Sequence, residues 1–504
     1  MEGIPGNGST TDRLSSTVES SSLHKSDVEN DLIGSVDQAK VKSAVRKLDL
    51  TILPVMTMFY FLSFLDRSNI GNARVAGLQK GLKMTDHQYQ VAVTVTFVPY
   101  ILAELPANLL LRKIGPNILM PAILTIWGII VTLQGFVTSY HGLVVARAFL
   151  GLVEGPMFPG IVLYLSGFYT RKELSLRIAF FFSAASLSGA FSGLLAAAIV
   201  KMHGVGGKPA WSWIFILEGL FSVVVGLVSF FLVPATPKDS KFLSESQKEL
   251  IIRRLESDRP FVNPSDSFSV KQVLASIRSP HVVIMFMVYF MGGTGLYGLA
   301  LFLPSIVNQL GFSANKSQLL SVGPFAAGFV VTLLLAYLSD RYKSRAVPLI
   351  LVSLLSVAGF SIYLTSKDKH VLYGSLYLMV PGIYGKTPVI AAWISNNSEP
   401  YYRRATSIAL GFIATNAGGI LSTWLYPTKE GPRFHRTTVI NLIFTIMVIV
   451  LAGINALLLS WKNKQKEHSR AEILGPFSTE KEPDGGVRAW VELGDRHPDF
   501  RYVI

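Results

Sequence analysis

Arg147 and Glu154 stand seven residues apart in the stretch RAFLGLVEGPMFPG, inside an apolar run that extends from Gly142 to about Tyr169. A charge at mid-membrane costs about 2.5–3.5 kcal/mol on insertion scales, so such a residue needs a partner or a cavity. Helix positions seven apart lie two turns along the axis and are offset by only about 20° around it. Arg147, Gly151 and Glu154 therefore share one face, which is expected to line a cavity. Their separation, roughly 10 Å along the axis, is too great for an easy bridge within the helix. Two readings stay open. In one, both charges merely pair with other helices. In the other, the planar fork of Arg147 holds a carboxylate, and Glu154 carries a proton.

Other polar residues in apolar runs extend this chemistry. The nine histidines all fall in tails, loops or ends of runs, which leaves proton coupling to carboxylates. The candidates are Asp66, Glu104, Glu154 and Glu218, of which Glu104 and Glu218 serve equally well as packing and hydrogen-bonding residues. Asp66 opens the sequence DRSN. Its Asp–Arg pair is either a self-satisfied unit or part of a substrate site, with Asn69 and Asn72 as neutral donors. Lys386, near the middle of the run containing GIYGKTPVIAAW, is either a lysine snorkelling to an interface or a second cation for an anionic substrate. Trp393 is placed to stack on a ring, and Asn396 and Asn397 to hydrogen-bond near the cytoplasmic end. Aromatic residues elsewhere in the runs are expected to face lipid or pack.

The elements that must position these residues are membrane spans. The chain has 504 residues, 50% of them hydrophobic and 15% charged, with a mean hydropathy of +0.43. That composition describes a polytopic all-α membrane protein rather than a soluble one. Apolar runs of about 18–25 residues, long enough to cross the bilayer, recur about twelve times. They begin near Leu50, Gln90, Ile118, Gly142, Ser175, Trp211, His281, Gln318, Ala346, Leu372, Thr406 and Thr437. The expected organisation is a disordered tail over 1–47, a six-helix bundle over 48–234, a linker over 235–280, a second bundle over 281–461 and a tail over 462–504. In the linker, Ser244-x-x-Gln247 has the capping-box pattern ahead of apolar Leu250, Ile251 and Leu255, which predicts an amphipathic helix.

Charge and composition exclude several functions. The net charge of +14 lies in loops and tails, where cytoplasmic enrichment of Lys and Arg accounts for it without nucleic acid. The short loops alone nearly tie; the tails and central loop place both termini in the cytoplasm. No apolar core follows a basic start, so no cleaved signal peptide is expected. With no cysteine there is no disulfide or thiolate metal site. No nucleophile–base or metal-ligand cluster falls inside a run, so enzymatic activity, a metal and a cofactor are not expected. No phosphate-binding G-x-x-x-x-G-K-[ST] pattern occurs, so transport must draw on a gradient.

The halves echo each other. LLLRKIGP (109–116) and LAYLSDRYKSR (335–345) place basic turns at matching positions, and GLVEGPMFP and GIYGKTP share Gly and Pro punctuation. Together with FLDRSNIGNARVAGL, FVPYILAELPANLLLRK, RAFLGLVEGPMFPGIVLYLSGFY, WSWIFILEGL, WISNN and GDRHPDFRY, these stretches resemble the major facilitator superfamily. Within it they resemble the fungal anion:cation symporters, which include nicotinate and allantoate permease-like transporters. The resemblance implies twelve helices in two six-helix halves that rock around a midplane site. It implies proton-coupled symport of a small organic carboxylate by a monomer in the fungal plasma membrane. It also implies gating by Asp340, Arg341 and Arg345, although Ala336 and Lys343 stand where that motif usually has glycines. An uncharged residue is usual near position 386. Two rivals are a carrier exporting or importing an acidic secondary metabolite and a nutrient sensor that binds without transport.

Overall fold

The computed structural model describes residues 10–258, 270–342, 344–431, 433–478 and 486–504, with residues 10–38 by backbone alone. The first half contains α1 (Thr10–Val75), α2 (Leu78–Gly81), α3 (Asp86–Ile114), α4 (Pro116–Gln134), α5 (Tyr140–Glu154), α6 (Met157–Ser166), α7 (Arg171–Ile199) and α8 (Ala210–Leu232). The linker holds α9 (Glu245–Asp258) and α10 (Val270–Ile277). The second half contains α11 (Pro280–Gln309), α12 (Ala314–Arg341), α13 (Ala346–Thr365), α14 (Lys369–Asn396), α15 (Tyr401–Leu425) and α16 (His435–His468). The tail adds α17 (Arg470–Leu474) and α18 (Gly486–Leu493).

Local chemistry sets many of these boundaries. Ser139 caps α5 by accepting a hydrogen bond from the Gly142 N–H at 3.2 Å. Thr170 and Glu173 form a capping box on α7. Asp368 caps α14, and hydrogen bonds from the Val371 and His370 N–H groups hold its carboxyl below the usual carboxylate range. The linker capping box read from the sequence is present: Ser244 N–H donates to Gln247 Oε1 at 3.2 Å, and Gln247 N–H to Ser244 Oγ at 3.4 Å.

Among the described residues, nine helices are long and apolar enough to cross a membrane. The remaining spans of the twelve are α3, α14 and the pair α5–α6, which is broken at Gly155 and Pro156. Taken singly, α5 and α6 are too short to span, with 15 and 10 residues. These three spans carry Glu104, Lys386, and Arg147 with Glu154.

Within the first half α4 packs along α8, α1 along α7, and α3 along α5; in the second α11 packs along α15, and α13 along α14 and α16. The halves meet where α7 contacts α12, α1 contacts α11, and α3 contacts α15. At Gly71 a Cβ would lie 2.2 Å from the Leu301 carbonyl oxygen, so only glycine allows α1 and α11 to approach this closely. Hydrogen bonds between the halves join Thr94 to Thr423 at 2.7 Å and Gln318 to the Asn72 carbonyl at 3.5 Å. These contacts lie toward the end of the bundle away from the linker. The linker itself divides its attachments. On α9, Gln247 accepts from Lys47 and Arg254 pairs with Glu173, both of the first half, whereas Ser276 of α10 bonds Ser407 of the second.

Candidate substrate site

A cavity between the halves is lined from the first by Tyr60, Phe64, Arg67, Tyr100, Phe158 and Phe182. The second half contributes Tyr289, Leu296, Tyr297, Thr387, Phe412, Thr415 and Asn416. The wall is largely aromatic, and Arg67 is its charged member. These rings depart from the expectation that aromatic residues in the spans more often pack or face lipid than wall a cavity.

Arg67 is fixed from three directions. Its Nε donates to Glu154 Oε1 at 2.8 Å, and Nη2 lies 2.7 Å from the same oxygen. Its Nη1 donates to the Tyr297 hydroxyl, which in turn donates to Asn416 Oδ1 at 3.0 Å. The guanidinium carbon is 4.8 Å from the Tyr100 ring centroid and 5.3 Å from that of Phe64, within cation–π range. One arginine on α1 thus bridges a carboxylate on α5 and a hydrogen-bonded pair on α11 and α15. Glu154 is buried; its Oε1 also accepts from Ser63 Oγ, and among the described residues its Oε2 has no hydrogen-bond partner.

Arg147 is not on the cavity wall, which corrects the expectation for its face. The shared face of α5 docks on α3: a Cβ on Gly151 would lie 2.0 Å from the Thr96 carbonyl oxygen, and one on Gly155 2.6 Å from that of Tyr100. Helix packing occupies the stripe, and only Glu154, at the break before α6, reaches the cavity cation. Arg147 is buried with its guanidinium carbon 5.6 Å from the Phe215 ring centroid, and among the described residues its Nε and Nη2 have no partner.

The DRSN segment is not a self-contained ion pair either. Adjacent helix residues point about 100° apart, and Asp66 faces the interior of the first half. Its Oδ2 accepts from Trp127 Nε1 at 2.7 Å and its Oδ1 from Asn69 Nδ2 at 3.2 Å. Asn69 Oδ1 accepts from Ser192 Oγ at 3.2 Å, and Asn72 Nδ2 donates to that same hydroxyl. Asn69 is therefore bound into the helix packing rather than presented to the cavity. Glu218 and Glu104 are buried, and among the described residues neither carboxylate has a hydrogen-bond partner.

In the second half Lys386 is 1% exposed, and among the described residues it forms no hydrogen bond or ion pair. Its Cε is 3.8 Å from where a Cβ on Gly292 would sit. Gly292 shares a face of α11 with Tyr289 and Leu296, one turn away on either side, and both of these line the cavity. Burial at mid-helix argues against snorkelling. Trp393 does not line the cavity. Its indole N–H donates to the Val503 carbonyl at 2.9 Å, and Asn397 binds the same tail residue. Asn396 is half-buried at the end of α14. Arg345 is buried, with Nη1 donating to Ser339 Oγ at 2.7 Å, and Arg341 is exposed. The Asp340 side chain lies outside the described residues.

Residues 56–423 match the Major Facilitator Superfamily. The chain belongs to that family. It is 33% identical over 481 residues to the high-affinity nicotinic acid transporter of Saccharomyces cerevisiae, covering 94% of this chain and 87% of that one. It is 34% identical over 463 residues to an uncharacterized transporter of Schizosaccharomyces pombe, covering 92% and 90%. Among solved structures, a bacterial homolog of the human lysosomal transporter Spinster, inward-facing and unoccupied, superposes with a TM-score of 0.61. That match is 14% identical and covers 81% of this chain and 96% of the homolog. A D-xylose-proton symporter gives the same TM-score of 0.61 at 14% identity, covering 80% and 96%. These likenesses establish the twelve-helix, two-half fold. The protein is a fungal-type major facilitator transporter, a multi-pass membrane protein.

Arg67 enters the sequence analysis only as half of the Asp66–Arg67 pair, with the substrate site as one of its two alternatives, and the aromatic wall and Asn416 do not enter it. A signal for Arg67 was present: neighbours on a helix do not face each other, so Asp66 and Arg67 must serve different surroundings. Nothing comparable in the sequence distinguishes Tyr297 or Phe412 from aromatic residues that face lipid.

Proposed function

We propose that the transporter is a proton-coupled symporter of a small aromatic carboxylate, nicotinate-like in shape and charge. The observation that carries this reading is the Arg67–Glu154 pair at the edge of an aromatic cavity. The site balances one negative charge against Arg67. When empty it takes that charge from Glu154. A substrate carboxylate docking on the same guanidinium leaves Glu154 as an excess anion in a low-dielectric pocket, and protonation of Glu154 relieves it. One carboxylate and one proton then travel together as a neutral load. Rings of Tyr60, Tyr100 and Tyr297 suit the faces of a flat substrate better than a flexible aliphatic one. The named activity of the yeast relative agrees with that chemistry. Lys386, beside Gly292 on the cavity side of α11, is the second cation for the substrate, and Asp66 and Glu218 are reserve proton sites deeper in the first half. Basic tails put both termini in the cytoplasm of a fungal plasma membrane, with the monomer as the working unit.

The test is uptake of labelled nicotinate by proteoliposomes over a range of external pH. Uptake is expected to rise as external pH falls. Glu154→Gln is expected to abolish this pH dependence while retaining exchange of internal for external substrate. Flat pH dependence in the unaltered protein would sink proton coupling, and efflux in place of uptake under an inward proton gradient would make the protein an exporter.

A further inference from the structure

The segment from Gly494 to Val503 lies against the linker-side ends of the second half, and side chains from several helices grip its backbone. Asn397, just past α14, accepts from the Val503 N–H at 2.7 Å and donates to the Val503 carbonyl at 2.9 Å. Asn463 on α16 treats the preceding residue in the same way, accepting from Tyr502 N–H at 2.9 Å and donating to its carbonyl at 3.0 Å. Two carboxamides thus satisfy every main-chain polar group of two successive residues, much as a neighbouring strand does. Trp393 adds a second donor to the Val503 carbonyl.

Further along the segment the grip is ionic. Arg403, in the first turn of α15, forms a buried ion pair with Asp495. The Asp495 N–H donates to the Glu399 carbonyl at 3.1 Å. Lys466 on α16 donates to the Asp495 and Phe500 carbonyls, and its ammonium sits 3.8 Å from the Tyr502 ring centroid. Gly494 has φ +57°, and a Cβ there would lie 2.5 Å from the Glu399 carbonyl oxygen, so the turn that brings the segment onto the α14–α15 corner requires glycine.

The helices gripped are those that complete the cavity. α14 supplies Thr387, and α15 supplies Phe412, Thr415 and Asn416. The same two helices also contact the first half, through α7 and α3. We infer that this segment is a strap that ties the linker-side ends of α14, α15 and α16 into one block, so that the second half's cavity wall moves as a unit between access states. Asn397, Asn463, Arg403 and Asp495 are then positioning residues for transport, acting through helices rather than on substrate. The inference holds for any substrate and does not rest on the carboxylate reading.

The first test needs no substrate: amide hydrogen exchange on the full-length transporter in detergent micelles. Asn397→Ala/Asn463→Ala is expected to speed exchange at Tyr502 and Val503 by about tenfold or more, the equivalent of about 1.4 kcal/mol. It is also expected to speed exchange across 396–403. An unchanged rate over 396–403 would overturn the strap. The second measurement is turnover per folded transporter in proteoliposomes, which a role confined to folding yield leaves unmoved. The double variant is expected to lose about fivefold or more in maximal rate with KM within about twofold, because a conformational step slows while substrate contacts persist. Unchanged turnover overturns the inference. If that variant yields no folded protein, the ion pair decides: Arg403→Asp and Asp495→Arg should each impair turnover, and the combined charge swap should recover most of it. A swap no better than either single change overturns it equally.

Discussion

The two halves share a helix arrangement and divide the charges between them unequally. At mid-span the first half carries Asp66, Arg67, Glu104, Arg147, Glu154 and Glu218, whereas the second carries Lys386. On the cavity wall the contrast repeats: Arg67 comes from the first half, and the second presents the neutral Tyr297, Thr387, Thr415 and Asn416. Charged chemistry in a membrane needs close partners, and the partners of Arg67 and Asp66 come from helices of the same half: Glu154 on α5 and Trp127 on α4. A half that moves as one body keeps those partners together through the cycle. The neutral half can then approach and withdraw without breaking ion pairs, losing only single hydrogen bonds such as the one between Arg67 and Tyr297.

The largest effect expected from this division is at Arg67. Breaking a buried ion pair by removing one partner costs about 3–5 kcal/mol. Arg67→Ala leaves Glu154 without its cation and the substrate without its anchor, so uptake should fall by about a hundredfold or more. Arg67→Lys keeps the charge and loses the planar fork, and should raise KM by about tenfold. Substrate uptake kinetics in proteoliposomes measure both. Arg67→Ala transporting at the unaltered rate would show that the first half does not hold the anion.

Lys386 tests the contrast from the other side. A lone buried cation is held at a cost in stability, since no ion pair offsets its desolvation. Lys386→Met preserves length and removes charge. It should raise the melting temperature of the purified protein and raise KM by about tenfold if the ammonium contacts the substrate carboxylate. Higher stability with unchanged KM and selectivity would leave the second half without any charged role. The division would then be complete.

How much of this was legible in the sequence follows the same physics. Apolar runs and the capping box at Ser244 depend on residues close in sequence; nine of the runs appear as helices long enough to span, and the capping box forms as read. Glu154 was picked out because a charge in an apolar run always needs explanation. Arg147 and Gly151 were expected to line the cavity beside it because spacing reports only which residues share a helix face. It does not report what that face meets, and Gly151 and Gly155 had already committed the stripe to α3. The Arg67–Glu154 pair joins residues 87 apart, and no local pattern encodes such a contact. Trp393 was misplaced for a related reason: a buried indole needs an acceptor, and the acceptor came from the tail 110 residues away.

A smaller effect is expected at Tyr297, the neutral residue on which the second half meets Arg67. Tyr297→Phe removes one acceptor for Arg67 and one donor to Asn416 while keeping the ring. A hydrogen bond to a charged group is worth about 1.5–3 kcal/mol, but water entering the cavity replaces part of it. KM should therefore rise by about fivefold. A change as large as that of Arg67→Ala would mean that the neutral half carries anion binding on equal terms, and the contrast between halves would fail.

The smallest expected effect is at Trp393, and it separates the two functions of the second half. Trp393→Phe keeps a buried ring and deletes the N–H that bonds the Val503 carbonyl. A net hydrogen bond is worth about 1 kcal/mol, and Asn397 still donates to the same oxygen. Exchange at the Val503 amide should therefore speed up by no more than about fivefold, and KM should stay within about twofold. The two readouts report different surfaces of α14: amide exchange follows the tail at its end, and KM follows the cavity wall at Thr387. A KM shift without faster exchange would return Trp393 to the substrate site. Faster exchange at constant KM would show that one helix serves the cavity at its middle and the strap at its end.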